Sequence, residues 1–122
     1  KELVRKLIAD GLMRGGNPDN IPLYVSSQKY IQHNAEVEDG IEGFMKLAKM
    51  PNRPLNYEKI HMMIGQGNFV ATLSEATWED ENGKDDFAQV DIFRIEDGKV
   101  VEHWDVVEKI GPPETWNNSG KF

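Results

Sequence analysis

The sequence predicts an α+β fold in a single domain spanning residues 1–122, with N-terminal helices packed over a curved antiparallel sheet shaped like a cone. Three observations predict it. Apolar residues recur at helical spacing up to Pro51, and from Asn56 onward they alternate as in strands. Helices first and an antiparallel meander afterwards place the helices on one face of the sheet. The alternating runs are about ten residues long, against the usual five or six. Strands of that length in so small a domain must curl, and a curled sheet closed by helices encloses a pocket.

Each element follows from local chemistry. Leu3, Val4, Leu7, Ile8 and Leu12 share one side of a first helix, which Gly15-Gly16 ends. Asn17 caps a short second helix with Pro18 in its first turn, where a missing N–H costs nothing. Asp39 and Glu42 stand three apart, the spacing of a capping box for a third helix. That helix turns Ile41, Phe44, Met45 and Ala48 inward and stops before Pro51. Between these helices, Tyr30-Ile31-Gln32-His33-Asn34 reads as a loop or a brief strand. Four strands follow, over 57–64, 69–79, 86–95 and 99–109, separated by Gly65-Gln66-Gly67, Glu81-Asn82-Gly83 and Asp97-Gly98.

Composition narrows the function classes. The chain has 122 residues, 39% hydrophobic and 29% charged, with a net charge of −7. That balance argues against nucleic acid, whose phosphates require clustered Lys and Arg. No run approaches the roughly 18 apolar residues of a membrane helix. Cysteine is absent, which removes disulfides and thiol catalysis and suits a cytoplasmic protein without ruling out export. The helical pattern begins at Lys1 itself, which leaves room for a targeting segment ahead of it. His33, His61 and His103 are far apart with no short-range ligand pair, so no metal site is expected.

The hairpin from Asp91 to Asp105 holds the candidate chemistry. Asp91, Phe93 and Ile95 share one face of their strand, and Val101, His103 and Asp105 share one face of the next. A two-residue Asp97-Gly98 turn sets Asp91 opposite Trp104 and sends Asp105 to the other side. A three-residue Glu96-Asp97-Gly98 loop sets Asp91 opposite His103 with Asp105 on the same face. The longer loop is preferred, because it gathers Phe93, Ile95 and Val101 beside the polar trio and places Arg94 diagonal to Glu102. Buried carboxylates are costly unless paired or used. Two together cannot both ionise cheaply, so one is expected to titrate high enough to take a proton from carbon beside a carbonyl. The alternative is structural: Asp105 and His103 satisfy each other under the sheet.

The segment Asp91-Ile92-Phe93-Arg94-Ile95-Glu96-Asp97-Gly98-Lys99-Val100-Val101-Glu102-His103-Trp104-Asp105-Val106 resembles the signature hairpin of SnoaL-like proteins. Tyr30-Ile31-Gln32-His33-Asn34, followed by Asp39-Gly40-Ile41-Glu42-Gly43-Phe44, does so too. The closing Asn118-Ser119-Gly120-Lys121-Phe122 is similar to the tail of the predicted aldol-condensation branch. The resemblance implies the cone-shaped barrel of the nuclear-transport-factor-2-like superfamily, commonly dimeric through the outer sheet face. It implies acid/base chemistry on a small apolar molecule without metal or cofactor. Asp105 then takes the place of the acid/base aspartate, with Asp91 and His33 assisting; Tyr30, Phe93, His103 and Leu73 are the implied substrate contacts. Leu73 stands where relatives often carry histidine, which weakens the implied mechanism and leaves a non-catalytic binding or dimerisation module as the rival reading.

Overall fold

A computed structural model describes residues 1–122. Helix α1 (Glu2–Leu7) continues without a break into a π-helical turn over Ile8–Leu12, and Val4, Leu7, Ile8 and Leu12 are buried on its inner side. A 3-10 helix over Pro18–Leu23 follows, and the Asn17 side chain caps it by accepting from the Asp19 N–H, as expected. Gly11 allows the two to touch, since a Cβ there would lie 2.8 Å from the Ile21 side chain.

Strand β1 is two residues, Ile31–Gln32, and α2 spans Ile41–Ala48. The capping box does not form. Gly40, at φ 89°, is the N-cap with no side-chain cap, and Asp39 Oδ1 instead accepts from the Gln32 N–H at 2.7 Å. The carboxylate that was to start the helix fastens β1 to the loop after it.

Strands β2 (Leu55–Gln66), β3 (Phe69–Asp80), β4 (Gly83–Glu96) and β5 (Lys99–Lys109) complete one open sheet in the order β1-β5-β4-β3-β2. The meander β2 to β5 is antiparallel, whereas β1 runs parallel to β5, so the sheet is mixed rather than wholly antiparallel. Register shifts in β2 near Tyr57 and Ile60 mark bulges, which bend long strands. One buried cluster joins the helices to the inner sheet face through Tyr57, Val70, Phe93 and Val100.

The β4–β5 hairpin corrects the preferred loop. Glu96 pairs with Lys99, so the turn is the two-residue Asp97-Gly98, both residues at positive φ (51° and 75°). A bulge follows at once: Ile95 pairs with Val100, but Arg94 pairs with Glu102. That extra residue on β5 restores the parity that the short turn would have lost. Asp91 therefore faces Asp105, and Phe93 faces His103. Arg94 lies directly opposite Glu102, Nε to Oε1 2.8 Å, rather than diagonal to it. Val100, not Val101, joins the core cluster.

Candidate functional site

Strand parity decides which side chains meet. On the inner face, β3 presents Thr72 beside Asp91 and Ser74 beside Gln89, and β5 presents His103 and Asp105. Gln32 pairs with His103 and turns inward with it, so Ile31 and His33 on either side turn outward. Asn34 returns inward.

Asp91 is fully buried and closed by three donors. Tyr57 Oη donates to its Oδ2 at 2.9 Å; Gln89 Nε2, at 3.0 Å, and His103 Nε2, at 2.7 Å, reach its Oδ1. Gln89 Nε2 also donates to Tyr57 Oη at 2.6 Å. The other ring nitrogen, His103 Nδ1, faces Gln32 Oε1 at 2.8 Å. That amide oxygen is identified by a second donor, the backbone N–H of Asn34, and Gln32 Nε2 donates to Tyr30 Oη. Both ring nitrogens thus lie within hydrogen-bond reach of an oxygen, one from an amide and one from a carboxylate. Asp91 and His103 form a buried hydrogen-bonded pair, and the Thr72 and Ser74 hydroxyls beside it are buried without a partner.

Burial pushes the Tyr57 hydroxyl well above its ordinary pKa, with the Asp91 charge adding to the effect. Burial likewise raises Tyr30 far above the usual phenol range. Both phenols therefore stay protonated.

Asp105 is different. It is half-buried, and Asn34 Nδ2 donates to its Oδ2 at 2.8 Å. Asn34 is itself fixed, because its Oδ1 accepts from the Glu36 N–H. Oδ1 of Asp105 has no protein donor. Asp105 lines a partly open cavity of about 40 Å³ whose apolar wall is Leu12, Val37, Phe44, Leu47 and Phe93. Acceptor or donor atoms of Asp91, His103 and Asp105 lie within 4.8 Å of one another. The set has the composition of a weak metal site, yet His103 and Asp91 already use their facing atoms on each other.

The expected residues divide. Asp91, His103, Asp105 and Phe93 come together, and Tyr30 backs them through Gln32. His33 does not join. It lies outside, stacked on Trp104 at 4.7 Å, with Nε2 2.7 Å from Glu102 Oε2; this contact and Arg94 hold the Glu102 carboxyl below its ordinary pKa. Leu73 also lies on the outer face, paired with Val90 and Met62, away from the cavity. Gln32, Asn34, Tyr57 and Gln89 escaped the sequence reading. Gln89 was within reach of it, two residues before Asp91 on the same strand face, but a neutral amide attracts no notice without its partners.

A SnoaL-like domain family model matches residues 4–103. The chain belongs to the SnoaL-like domain family. Similar solved structures agree in fold. TsrD from Streptomyces laurentii is 21% identical, with a TM-score of 0.73 over 88% of this chain and 90% of that one. A candidate polyketide cyclase from Bacillus cereus ATCC 10987 is 22% identical, with a TM-score of 0.70 over 87% and 72%. A protein of unknown function with a cystatin-like fold from Xanthomonas campestris is 20% identical, with a TM-score of 0.73 over 87% and 88%. No protein of curated function matches the sequence. No helix of this SnoaL-like chain is long and apolar enough to cross a membrane.

Proposed function

We propose that the protein is an acid/base enzyme of SnoaL-like type that needs no cofactor and acts on a small apolar carbonyl compound by aldol condensation, isomerisation or cyclisation. One observation carries the reading: Asn34 fixes one Asp105 carboxylate oxygen and the other is left free, in a cavity walled by apolar side chains together with Gln32, Asn34, Gln89 and His103. Asp105 Oδ1 takes the proton from carbon beside the carbonyl, and the C–H electron pair becomes the enolate. The buried His103 ring, beside the Asp91 carboxylate, supplies a proton donor that stabilises the negative charge as it develops. Asp105 then returns its proton to the product. Asp91 has no free oxygen and serves to hold His103. The catalytic part implied for His33 is not carried forward, because that ring lies across the sheet from the cavity. The polyketide cyclase assignment of a relative is compatible with this chemistry.

The test is exchange of the α-protons of cyclic ketones in D2O, followed by NMR, for the wild type and Asp105→Asn. Loss of exchange in a folded variant supports the assignment; equal exchange overturns it. The rival, a non-catalytic binding module, draws on the small cavity and the mutually bonded Asp91–His103 pair, and it predicts no exchange by either protein.

The same reading includes a homodimer. The outer sheet face carries two apolar rows across the strands, Ile64–Ala71–Ile92–Trp104 and Met62–Leu73–Val90–Val106. Met62, Ile64 and Val106 are 53%, 58% and 71% exposed, a contiguous patch of the kind that second copies cover.

A further inference from the structure

The inner cavity, at about 40 Å³, is close to the ~30 Å³ that one water occupies in the liquid, and far below the roughly 300 Å³ of the smallest ordinary ligand pockets. The space is partly open but too small for a substrate, which fits at Asp105 only if the space joins a larger one. One neighbouring depression qualifies. It measures about 220 Å³ and lies between the 35–39 loop and α2, with Glu36, Glu38, Gly43, Lys46 and Met50 on its walls. Val37 and Leu47 line both spaces. Val37 comes from the loop and Leu47 from the helix. Their side chains form the partition between cavity and depression.

That partition is built to move at low cost. Val37 and Leu47 are half-buried, and neither packs into the hydrophobic core cluster, unlike Ile41, Phe44 and Ala48 on the same helix. The loop rests on α2 through backbone alone at one point, where a Cβ on Gly43 would lie 2.4 Å from the Glu38 carbonyl oxygen. Across the mouth, Lys46 and Glu38 approach to only 3.8 Å with both side chains exposed. A contact of that kind contributes little. The loop is anchored at its start instead: the Val37 N–H bonds the Asn34 carbonyl, and Asn34 holds Asp105. The Val37 side chain can turn outward while this backbone bond stays in place and the base stays aligned.

We propose that Val37 and Leu47 gate the substrate site, and that the site is the inner cavity and the outer depression joined. The two volumes, about 220 Å³ and 40 Å³, together make about 260 Å³. That space takes a molecule of one or two rings, its polar end at Asp105 and its remainder between Met50 and the aliphatic stem of Lys46. The placement of a carbonyl end at Asp105 rests on the acid/base reading; the route does not.

The experiment is a fluorescence titration with 2-naphthol, a two-ring phenol that mimics an enol, with the His103 ring signals followed by NMR. The wild type binds and the His103 signals shift. Leu47→Trp, or Val37→Phe if the first does not fold, wedges the partition shut. Binding weakens by about tenfold or more (about 1.4 kcal/mol) and the His103 signals stay in place. The Val37→Ala/Leu47→Ala double variant binds more tightly than the wild type, with the same His103 shift. A folded Leu47→Trp or Val37→Phe protein that binds as the wild type does overturns the gate, as does absence of binding in both the wild type and the double variant. Failure of the reaction assignment looks different: the binding order holds while ketone exchange is indifferent to Asp105→Asn.

Discussion

Asp91 and Asp105 are Cα partners on adjacent strands, yet their surroundings assign them opposite tasks. Three groups, Tyr57, Gln89 and the His103 ring, close Asp91, whereas one amide holds Asp105 and leaves an oxygen open. Removing the charge at Asp91 strands His103 in a buried site with Gln89 and Tyr57 facing a weaker acceptor. Asp91→Asn is expected to lower stability by about 3 kcal/mol or more. Asp105→Asn removes little beyond one partly exposed hydrogen bond and should stay within about 1.5 kcal/mol of the wild type. Urea unfolding of the two variants checks the contrast, and equal losses would contradict the division of roles. The sequence made both aspartates visible, because charges on an apolar strand face stand out. It hid Gln32, Asn34, Tyr57 and Gln89, whose part depends on distances that only the fold sets.

At the scale of elements, the hairpin shows how a right outcome can rest on a wrong turn. The trio does share a face, but through a two-residue turn and a bulge rather than a three-residue loop. Asp-Gly suits both turns, and a bulge of two consecutive valines leaves no mark in an alternating pattern. The bulge makes a sharp prediction. Deleting Val101 removes the extra residue and leaves a regular hairpin in which Val100 still pairs with Ile95 and Glu102 with Arg94, so His103 and Asp105 keep the inner face. Such a protein should keep the hydrogen-bonded His103 ring signals. Loss of those signals in a folded protein would show that the register is held some other way. The β1 segment fails in a simpler manner. Two paired residues fix Gln32 inward, and the next residue must point out, so His33 stacks on Trp104 across the sheet from Asp105. A strand that short has no alternation from which the parity could be read.

At the scale of the molecule, the two sheet faces are unlike. The inner face packs against the helices and holds the polar trio; the outer face carries apolar rows, with the C-terminal tail laid along one end through Lys121–Glu108 and Phe122 stacked on His61. The α+β class and the order of the elements were legible in the sequence because helical and alternating periods are local. The parallel β1–β5 pairing was not, since it joins segments some seventy residues apart. Leu73 illustrates the same limit: its strand was plain, but only the pairing with Val90 and Met62 puts it outside the cavity. If the outer face is a dimer interface, Ile92→Lys should yield monomer by sedimentation at concentrations where the wild type is dimeric, with ketone exchange retained. An unchanged sedimentation coefficient would place the interface elsewhere.

The central claim is that Asp105 is the base. Its most direct test is the initial rate of deuterium uptake at the α-carbon of 2-tetralone in D2O, for the wild type and Asp105→Asn at equal folded concentration. The account predicts a wild-type rate above the buffer and a loss of about 10²- to 10⁴-fold of the enzymatic part in the variant, the usual worth of a positioned general base. A variant that exchanges as fast as the wild type would contradict it.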